Sequence, residues 1–397
     1  MADLLPCPLM DLRSIPEHLT SNERINQRRT LIERELKIDL SRTVPAENAV
    51  GEAEKKNCEQ MFGVVALPVG YAGPLCVQFS SKQKVLLHLP LATTEGALVA
   101  SVNRGAKAVS VDAMQITRVT DHGITRSIAF AGSKSVDVQR IMDLIRKEEP
   151  KWKQMAEATS GHLKVLGYDV DVSKQYVFLT IRCGTDEAMG MNMVTIAAQA
   201  AADCLISLLP GLKCVTIAGN VDSDKKPSRR THERGRGFEV LCEAVLSAAT
   251  IAEVLKTTPE AMLAVADAKL KHGSKIAGAI GSNLHAANIV AALYLATGQD
   301  IAHCVEGSLA DTEVSARGDG IVIQVRMPAI LVGVRGGGTG LPAQAQYLEM
   351  LLKNKAGMHV KQQLAETVAA AVLAGEVSLL AAQASHTLAS SHKELAR

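Results

Sequence analysis

The chain has 397 residues, of which 47% are hydrophobic and only 3% aromatic, and its formal net charge is +2. This length is sufficient for two or three domains, and the hydrophobic content excludes a disordered chain. A charge so close to zero gives no basis for a nucleic-acid-binding surface. The eight cysteines are scattered without metal-binding spacing, so we expect reduced thiols, no metal site and a cytoplasmic protein.

The N-terminus lacks the features of an export signal, because residues 1–10 have no basic region and Pro6 and Pro8 interrupt the apolar run. Residues 1–45 are charge-rich and helical in pattern. They are interpreted either as a solvated helix or as an arm that packs on a partner subunit. The most apolar stretch, residues 364–388, contains two glutamates and a histidine, which favours a buried core helix over a membrane span.

The run Thr93-Thr94-Glu95-Gly96 follows a strand-like apolar segment at residues 85–91 and precedes a helical pattern. This order predicts a strand-to-helix junction, where backbone amides and the helix dipole favour an anion. Arg104 and Lys107 lie one turn further on and could receive phosphate. The alternative is an ordinary helix cap, with Glu95 in the first turn.

Residues 113–219 read as a separate module. The run Asp121-His122-Gly123 is typical of a hairpin turn between two strands. The order of elements predicts a small antiparallel sheet with helices on one face, of the ferredoxin type. The predicted elements are strands at 113–120, 124–131, 165–172, 175–183 and 212–218, a helical stretch at 136–160 broken at Pro150, and a helix that opens at 186–192 and runs to about 209.

Three further runs carry weaker signals when each is considered alone. Asp224-Lys225-Lys226 is either solvated surface or a group that holds a substrate carboxylate and polarises a carbonyl. Gly298-Gln299-Asp300 ends a small-residue helix and could be only a cap. The glycine-rich run at 336–340 lacks the lysine of a P-loop and is typical of a tight turn, and a Rossmann fingerprint is absent from the sequence.

Taken together, these runs resemble those of the class I 3-hydroxy-3-methylglutaryl-coenzyme A (HMG-CoA) reductases, from about residue 20 to the end. The shared motifs occur in the family's order. They are P-V-G-Y-A-G-P-L at 68–75, T-T-E-G at 93–96, N-R-G at 103–105, A-M-G-M-N at 188–192, D-K-K-P at 224–227, G-R-G at 235–237, H-A-A-N at 285–288, G-Q-D at 298–300, G-G-G-T at 336–339 and S-H at 391–392.

The resemblance implies an α+β fold in three parts. A small helical N-terminal segment occupies residues 1–45. A large mixed α/β domain that binds HMG-CoA is formed by residues 46–118 and 219–397, and an inserted ferredoxin-like domain at 119–218 binds the dinucleotide. Family members form homodimers or homotetramers with the active site at the subunit interface, and the same is expected here, without nucleic-acid or membrane partners.

The resemblance also implies the reaction, a four-electron reduction of a thioester to an alcohol by NADPH, with NADH possible. Lys225 would stabilise the oxyanion, and His392 would protonate the released coenzyme A (CoA) thiolate. Glu95 would supply a proton in the second reduction, helped by a nearby Asp300 that also pairs with Lys225.

Further contacts carried over by resemblance fall into three groups. Those to CoA are Ser101, Asn103, Arg104, Lys107 and Lys256; those to the hydroxymethylglutaryl group are Arg118, Asp224, Lys226 and Lys269, with Asn288 also in the substrate site; those to the nicotinamide dinucleotide are Ser160, Glu187, Ala188, Met189, Gly190, Met191 and Asn192.

The chain departs from the family pattern at several positions: Gln60, Glu187, Ala218 and Ser282 replace the usual residues. Gly161-His162 stands where many members place an arginine for the extra phosphate of NADPH, which favours a weaker preference over NADH. A non-catalytic homologue that binds CoA thioesters is the alternative function.

Overall fold

The structure is a computed structural model that describes residues 12, 15–112 and 115–385. The strands are β1 Val69–Gln78, β2 Lys84–Ala92, β3 Gln115–Gly132, β4 Lys164–Ser173, β5 Tyr176–Gly184, β6 Leu212–Thr216, β7 Gly237–Leu246, β8 Asp311–Arg317 and β9 Gly320–Ile330. The helices are α1 Ser21–Leu36, α2 Ala53–Lys56, α3 Leu98–Asp112, α4 Val138–Lys147, α5 Glu149–Glu157, α6 Met191–Leu208, α7 Arg229–Arg234, α8 Ala248–Thr250, α9 Pro259–Ala266, α10 Ser274–Ala277, α11 Ala286–Thr297, α12 Cys304–Gly307, α13 Pro342–Leu352 and α14 Val360–Ala384. Short 3₁₀ turns occur at Ser41–Thr43, Ile301–His303 and Gly337–Gly340, and π-helical turns at Ile251–Leu255 and Asp267–Gly273.

The larger sheet has the strand order β2-β1-β3-β7-β9-β8. Its neighbours are antiparallel except for a short parallel contact between β1 and β3. The largest hydrophobic core lies between this sheet and the helices α3, α11 and α14. With few aromatic side chains in the sequence, this core consists mainly of Ala, Val, Leu and Ile.

Strand β3 belongs to two sheets, and this corrects the hairpin predicted at Asp121-His122-Gly123. Residues 116–123 pair with β7, and the strand then continues so that Ile124 to Ala131 pair with β5. Gly123 has φ = 72°, and the register shifts between Asp121 and Gly123. The glycine therefore forms a bulge in a continuous strand instead of a chain reversal.

The smaller sheet has the order β4-β5-β3-β6, with every pair antiparallel. This is the ferredoxin-like arrangement that the order of elements predicted. A second hydrophobic core lies between the sheet and the helices α4, α5 and α6, and Trp152 is buried in it. The predicted helix break falls at Glu148, and Pro150 occupies the first turn of α5, where its missing amide hydrogen costs nothing.

Two helices, α6 and α14, are long and apolar enough to cross a membrane by length and composition alone. The most apolar window of α14 is 94% buried within the fold, in agreement with the predicted core helix. The cysteines of the described residues are free thiols, as expected.

The N-terminal helix α1 is not simply solvated. It begins with a capping box, in which Thr20 and Glu23 satisfy each other's backbone amides. Arg24 and Arg28 are buried, and both bind the Glu54 carboxylate at the start of α2. The helix is therefore anchored to the body of the same chain.

Candidate active site

A cleft of 910 Å³ lies between the start of α6, in the smaller module, and the end of α11, in the larger one. Lys225 and Asp300 line it together with the glycine-rich turn. Of the predicted dinucleotide contacts, the cleft is lined by Ser160, Ala188, Met189, Gly190, Met191 and Asn192. Tertiary structure thus brings together residues from sequence runs that are far apart.

Both the side chain and the backbone amide of Lys225 have partners in the structure. Its Nζ lies 2.8 Å from Oδ2 of Asp300, and its backbone amide donates to Oε1 of Glu306 at 2.6 Å. Its φ of 57° is uncommon for a residue with a side chain. The contact with Glu306 therefore supports a loop conformation that the sequence alone does not favour.

Glu306 belongs to a buried polar network behind the loop. Arg236 donates to Glu306 at 2.9 Å and to Asp224 at 3.0 Å, and its side chain is 1% exposed. His303 lies 3.4 Å from Glu306 and 3.7 Å from Asp300. Side-chain atoms of Asp224, His303 and Glu306 that could bind a metal ion lie within 4.8 Å of one another. The guanidinium of Arg236, however, already supplies positive charge to Asp224 and Glu306.

The pKa of Asp300 is lowered from its usual value. Burial by itself raises this pKa, but the hydrogen bond from Lys225, the charge of His303 and the amide of Ala302 together outweigh it. Asp300 is therefore an ionised partner that orients the Lys225 ammonium.

Glu95 lies in the junction between β2 and α3, as the sequence predicted. Its carboxylate accepts a hydrogen bond from Asn288, at 3.2 Å, in the first turn of α11. The chain beyond Asp300 returns to the same turn, because Cys304 Sγ donates to the carbonyl of Ala287 at 3.5 Å. Asn288 lies in the first turn of α11 and Asp300 follows the end of this helix, and a direct effect of Asp300 on Glu95 stays a prediction.

The loop before α6 follows the cleft wall. Glu187 pairs with Arg335 at 2.6 Å, and its carbonyl accepts the amide of Val334 at 2.8 Å. Gly190 caps α6 with φ = 106°, a conformation that favours glycine. A Cβ on Gly333 would lie 2.4 Å from the Met189 amide nitrogen, so this glycine permits the close approach of the two segments.

The predicted CoA contacts on α3 have partners within the chain. Ser101 and Arg104 bind Ser378 of α14, at 3.0 Å each, and Asn103 joins the amide of Gly73 to the carbonyl of Tyr71. A Cβ on Gly105 would lie 1.8 Å from an α14 carbonyl. Within the N-R-G motif, Arg104 and Gly105 therefore pack α3 on α14, and Asn103 joins α3 to β1. The side chains of Lys107 and Lys256 are exposed, and Lys269 is half-buried in the π-helical turn.

Arg118 and Arg126 both lie on β3, but on opposite sides of the bulge. Arg118 is exposed on the larger sheet, opposite Leu241. Arg126 Nη1 lies 3.3 Å from Asp222 and 3.7 Å from Asp224, so it joins the loop that carries Lys225. Arg126, which the sequence reasoning missed, therefore contacts the loop of Lys225, and the role expected of Arg118 stays a prediction. The only signal in the sequence was a second arginine on the same strand.

Two other cationic side chains in the cleft were also missed. Arg335 lines it beside Glu187, and Lys56 lines it at the end of α2. Lys226 bonds the carbonyl of Asp224 and faces solvent. His162, next to the expected phosphate position, lies 2.8 Å from Asp186, whose pKa is lowered by hydrogen bonds from His162 and His359. His392 lies outside the described residues.

The cleft combines a glycine-rich wall with a lysine–aspartate pair, so it can hold a ligand beside a fixed positive charge, as an enzyme active site does. Residues 24–397 match the family model described as hydroxymethylglutaryl-coenzyme A reductase. The chain belongs to this family.

Individual relatives agree with this assignment. A 3-hydroxy-3-methylglutaryl-coenzyme A reductase of Methanocaldococcus jannaschii is 38% identical over 93% of this chain and 92% of its own. One of Methanothermobacter thermautotrophicus is 37% identical over 97% of this chain and 96% of its own. The class II reductase of Streptococcus pneumoniae, solved with NADPH, has a TM-score of 0.68 at 18% identity, covers 92% of this chain and 87% of its own, and shares the fold.

Proposed function

We propose that this protein reduces (S)-3-hydroxy-3-methylglutaryl-CoA to mevalonate and CoA, with two molecules of NADPH. The observation that carries the proposal is the Lys225–Asp300 pair in the same cleft as the start of α6. The cleft thus offers a fixed positive charge for a developing oxyanion beside a surface suited to a dinucleotide.

The cleft fits the cofactor on its own geometry. Gly336 and Gly337 line it, and a Cβ on either would meet no atom within 4 Å, so a side chain would project into the open cleft. The first amides of α6 face no capping side chain, which suits an anionic pyrophosphate. When bound there, NADPH would supply the hydrides.

The protein's own groups would then handle charge and protons. Lys225 would stabilise the oxyanion that forms at the thioester carbon, with Asp300 orienting the ammonium. Glu95, oriented by Asn288, would donate the proton of the second reduction. By resemblance to the family, His392 would protonate the CoA thiolate.

The carboxylate end of the substrate would meet the loop behind Lys225. Lys226 is exposed there, and Arg126 is tethered to Asp222 and Asp224. Because Arg126 contacts this loop and Arg118 lies on the other side of the bulge in β3, Arg126 is the better placed of the two for this role. Its guanidinium suits a carboxylate, which it can bind through two parallel hydrogen bonds.

Several finer features belong to the same proposal. The T-T-E-G and D-K-K runs support class I, and the two separate hydrophobic cores support an inserted dinucleotide domain at 119–218. Resemblance to the family favours a homodimer or homotetramer in which a second subunit completes the site. The free thiols support a cytoplasmic location.

The test is the oxidation of NADPH, followed by its absorbance, in the presence of HMG-CoA, with acetyl-CoA as a control thioester. We expect two molecules of NADPH consumed for each mevalonate formed. Binding of HMG-CoA without oxidation of NADPH or NADH would instead support the non-catalytic homologue.

A further inference from the structure

Lys361, near the start of α14, carries a buried ammonium group; the residue is 6% exposed. Its Nζ donates to Oγ1 of Thr185 at 3.0 Å and to the carbonyl of Ala188 at 2.9 Å. The ring of Phe238 lies 5.7 Å from the ammonium, within the range of a cation–π contact. All three partners are neutral, so Lys361 is not one half of a close ion pair with any of them.

A buried lysine with neutral partners is energetically unfavourable. Burial lowers the pKa of Lys361, and the more remote carboxylates of Asp121 and Asp186 offset this only in part. If the ammonium is removed, the Ala188 carbonyl keeps its hydrogen bond from Thr185, so no buried acceptor is left without a partner and the cost in fold stability should be small. Stability of the fold therefore gives no reason for an ammonium at this place.

The two hydrogen bonds orient the loop that precedes α6. The hydroxyl of Thr185 also lies 2.9 Å from the Ala188 carbonyl and 3.1 Å from that of Met189, so both carbonyls face the interior. In a trans peptide the N–H points away from the C=O. The amides of Met189 and Gly190 are therefore directed away from Lys361. The amide nitrogen of Met189 lies against Gly333, and all three residues line the cleft.

We propose that Lys361 is a positioning residue for the nicotinamide dinucleotide: from the core helix α14 it holds the 185–190 loop so that residues 188–190 line the cofactor cleft. This inference rests on the proposed function. It concerns the part of the dinucleotide shared by NADPH and NADH, since the loop is distinct from the segment around Ser160 expected to meet the extra phosphate.

The experiment compares wild type with Lys361→Met, which keeps the length of the side chain and removes its charge and donors. Lys353→Met, at an exposed lysine after α13, is the matched control. Dissociation constants for NADPH, NADH and HMG-CoA are measured by direct binding, together with kcat, KM and the melting temperature. Thr185→Val and the double variant complete a double-mutant cycle.

We expect Lys361→Met to raise the dissociation constants for both NADPH and NADH by roughly 10- to 100-fold, the effect of losing hydrogen bonds from a charged group. HMG-CoA affinity and the melting temperature should stay within error of the wild type or, for the melting temperature, rise. The double variant should lose little more than either single variant.

Two results would overturn the inference while leaving the reductase function intact. One is unchanged dinucleotide affinity in Lys361→Met. The other is a parallel loss of HMG-CoA affinity and melting temperature, which would make Lys361 a general structural residue. A wild-type protein that binds neither dinucleotide would instead refute the proposed function, and this inference with it.

Discussion

The ammonium of Lys225 lies 2.8 Å from the carboxylate of Asp300, while the amide of the same lysine donates to Glu306. The two contacts constrain both the backbone and the side chain of the lysine. Such preorganisation is what stabilises charge that develops in a transition state, because the donor need not reorient during the reaction.

Removal of the Lys225 charge should therefore abolish reduction without unfolding the protein. We expect Lys225→Ala to lose about 3 kcal/mol or more of transition-state stabilisation, roughly 100-fold or more in kcat. The measurement is steady-state turnover at saturating HMG-CoA and NADPH. Lys213→Ala, at an exposed lysine on β6, is the control. Near-normal turnover of Lys225→Ala would show that the loop has another role.

His392 has a distinct expected signature, although it lies outside the described residues. Only thioester reduction releases a thiolate, so His392→Gln should slow the reduction of HMG-CoA much more than that of added mevaldehyde. The two rates are compared in one preparation. An equal loss in both assays would mean that His392 serves binding or structure.

We expect the choice between NADPH and NADH to depend on the segment around Ser160, a residue that lines the cleft. A Cβ on Gly161 would meet no atom within 4 Å, so a larger side chain can be accommodated. We expect Gly161→Arg to raise the preference for NADPH over NADH by about 10- to 100-fold, the effect of a charged hydrogen bond to phosphate.

Gly161→Gln, similar in length but neutral, is the control for this variant. The ratio of kcat/KM for the two cofactors is the readout. If the wild type at high salt already has a kcat/KM for NADPH that exceeds that for NADH by several orders of magnitude, another cationic side chain, such as Arg335 or Lys56, binds the extra phosphate.

The attachment of α1 should depend on pH through Glu54. The hydrogen bond from Arg24 lowers the pKa of Glu54 from 4.5 to about 2, with Arg28 adding to the effect against the opposing effect of burial. Because the folded-state pKa lies below the unfolded one, the stabilisation is complete above about pH 4.5 and is lost as the pH falls towards 2.

Glu54→Gln should accordingly lower the melting temperature at pH 7. The difference in melting temperature between this variant and the wild type should become smaller below about pH 4.5. Glu52→Gln breaks the exposed pair with Lys56 and should have little effect at any pH. Thermal unfolding of the three proteins from pH 7 to 3 gives the comparison. A difference that does not vary with pH would contradict an ionic origin.

The amino-acid sequence by itself determined the local elements and the identity of the family. The alternation of apolar residues in β4 and β5, the turn at Lys174 and the glycine that ends α11 were all predictable, because each depends on neighbours along the chain. The ferredoxin-like module followed from the order of these elements. The family followed from motifs that keep their order over the chain.

Only the tertiary structure decided where β3 goes and what its arginines meet. The glycine of an Asp-x-Gly run readily adopts a positive φ. Both a hairpin turn and a bulge can use such a residue, so the sequence alone does not distinguish them. The chain continues through Gly123 because β7 and β5 supply hydrogen-bond partners on either side of it. Because β3 continues past Gly123, Arg126 contacts the loop of Lys225, whereas Arg118 lies on the other side of the bulge.

Long-range contacts likewise decided the state of the polar side chains. The positive φ of Lys225 is stabilised by Glu306, and the loop before α6 by Lys361, across separations in sequence that no local pattern records. Arg104 belongs to the N-R-G motif and Ser101 lies just before it, yet the side chains of both form hydrogen bonds to Ser378 of the core helix. Motifs identify which residues matter, whereas burial and partner geometry determine what each of them can do.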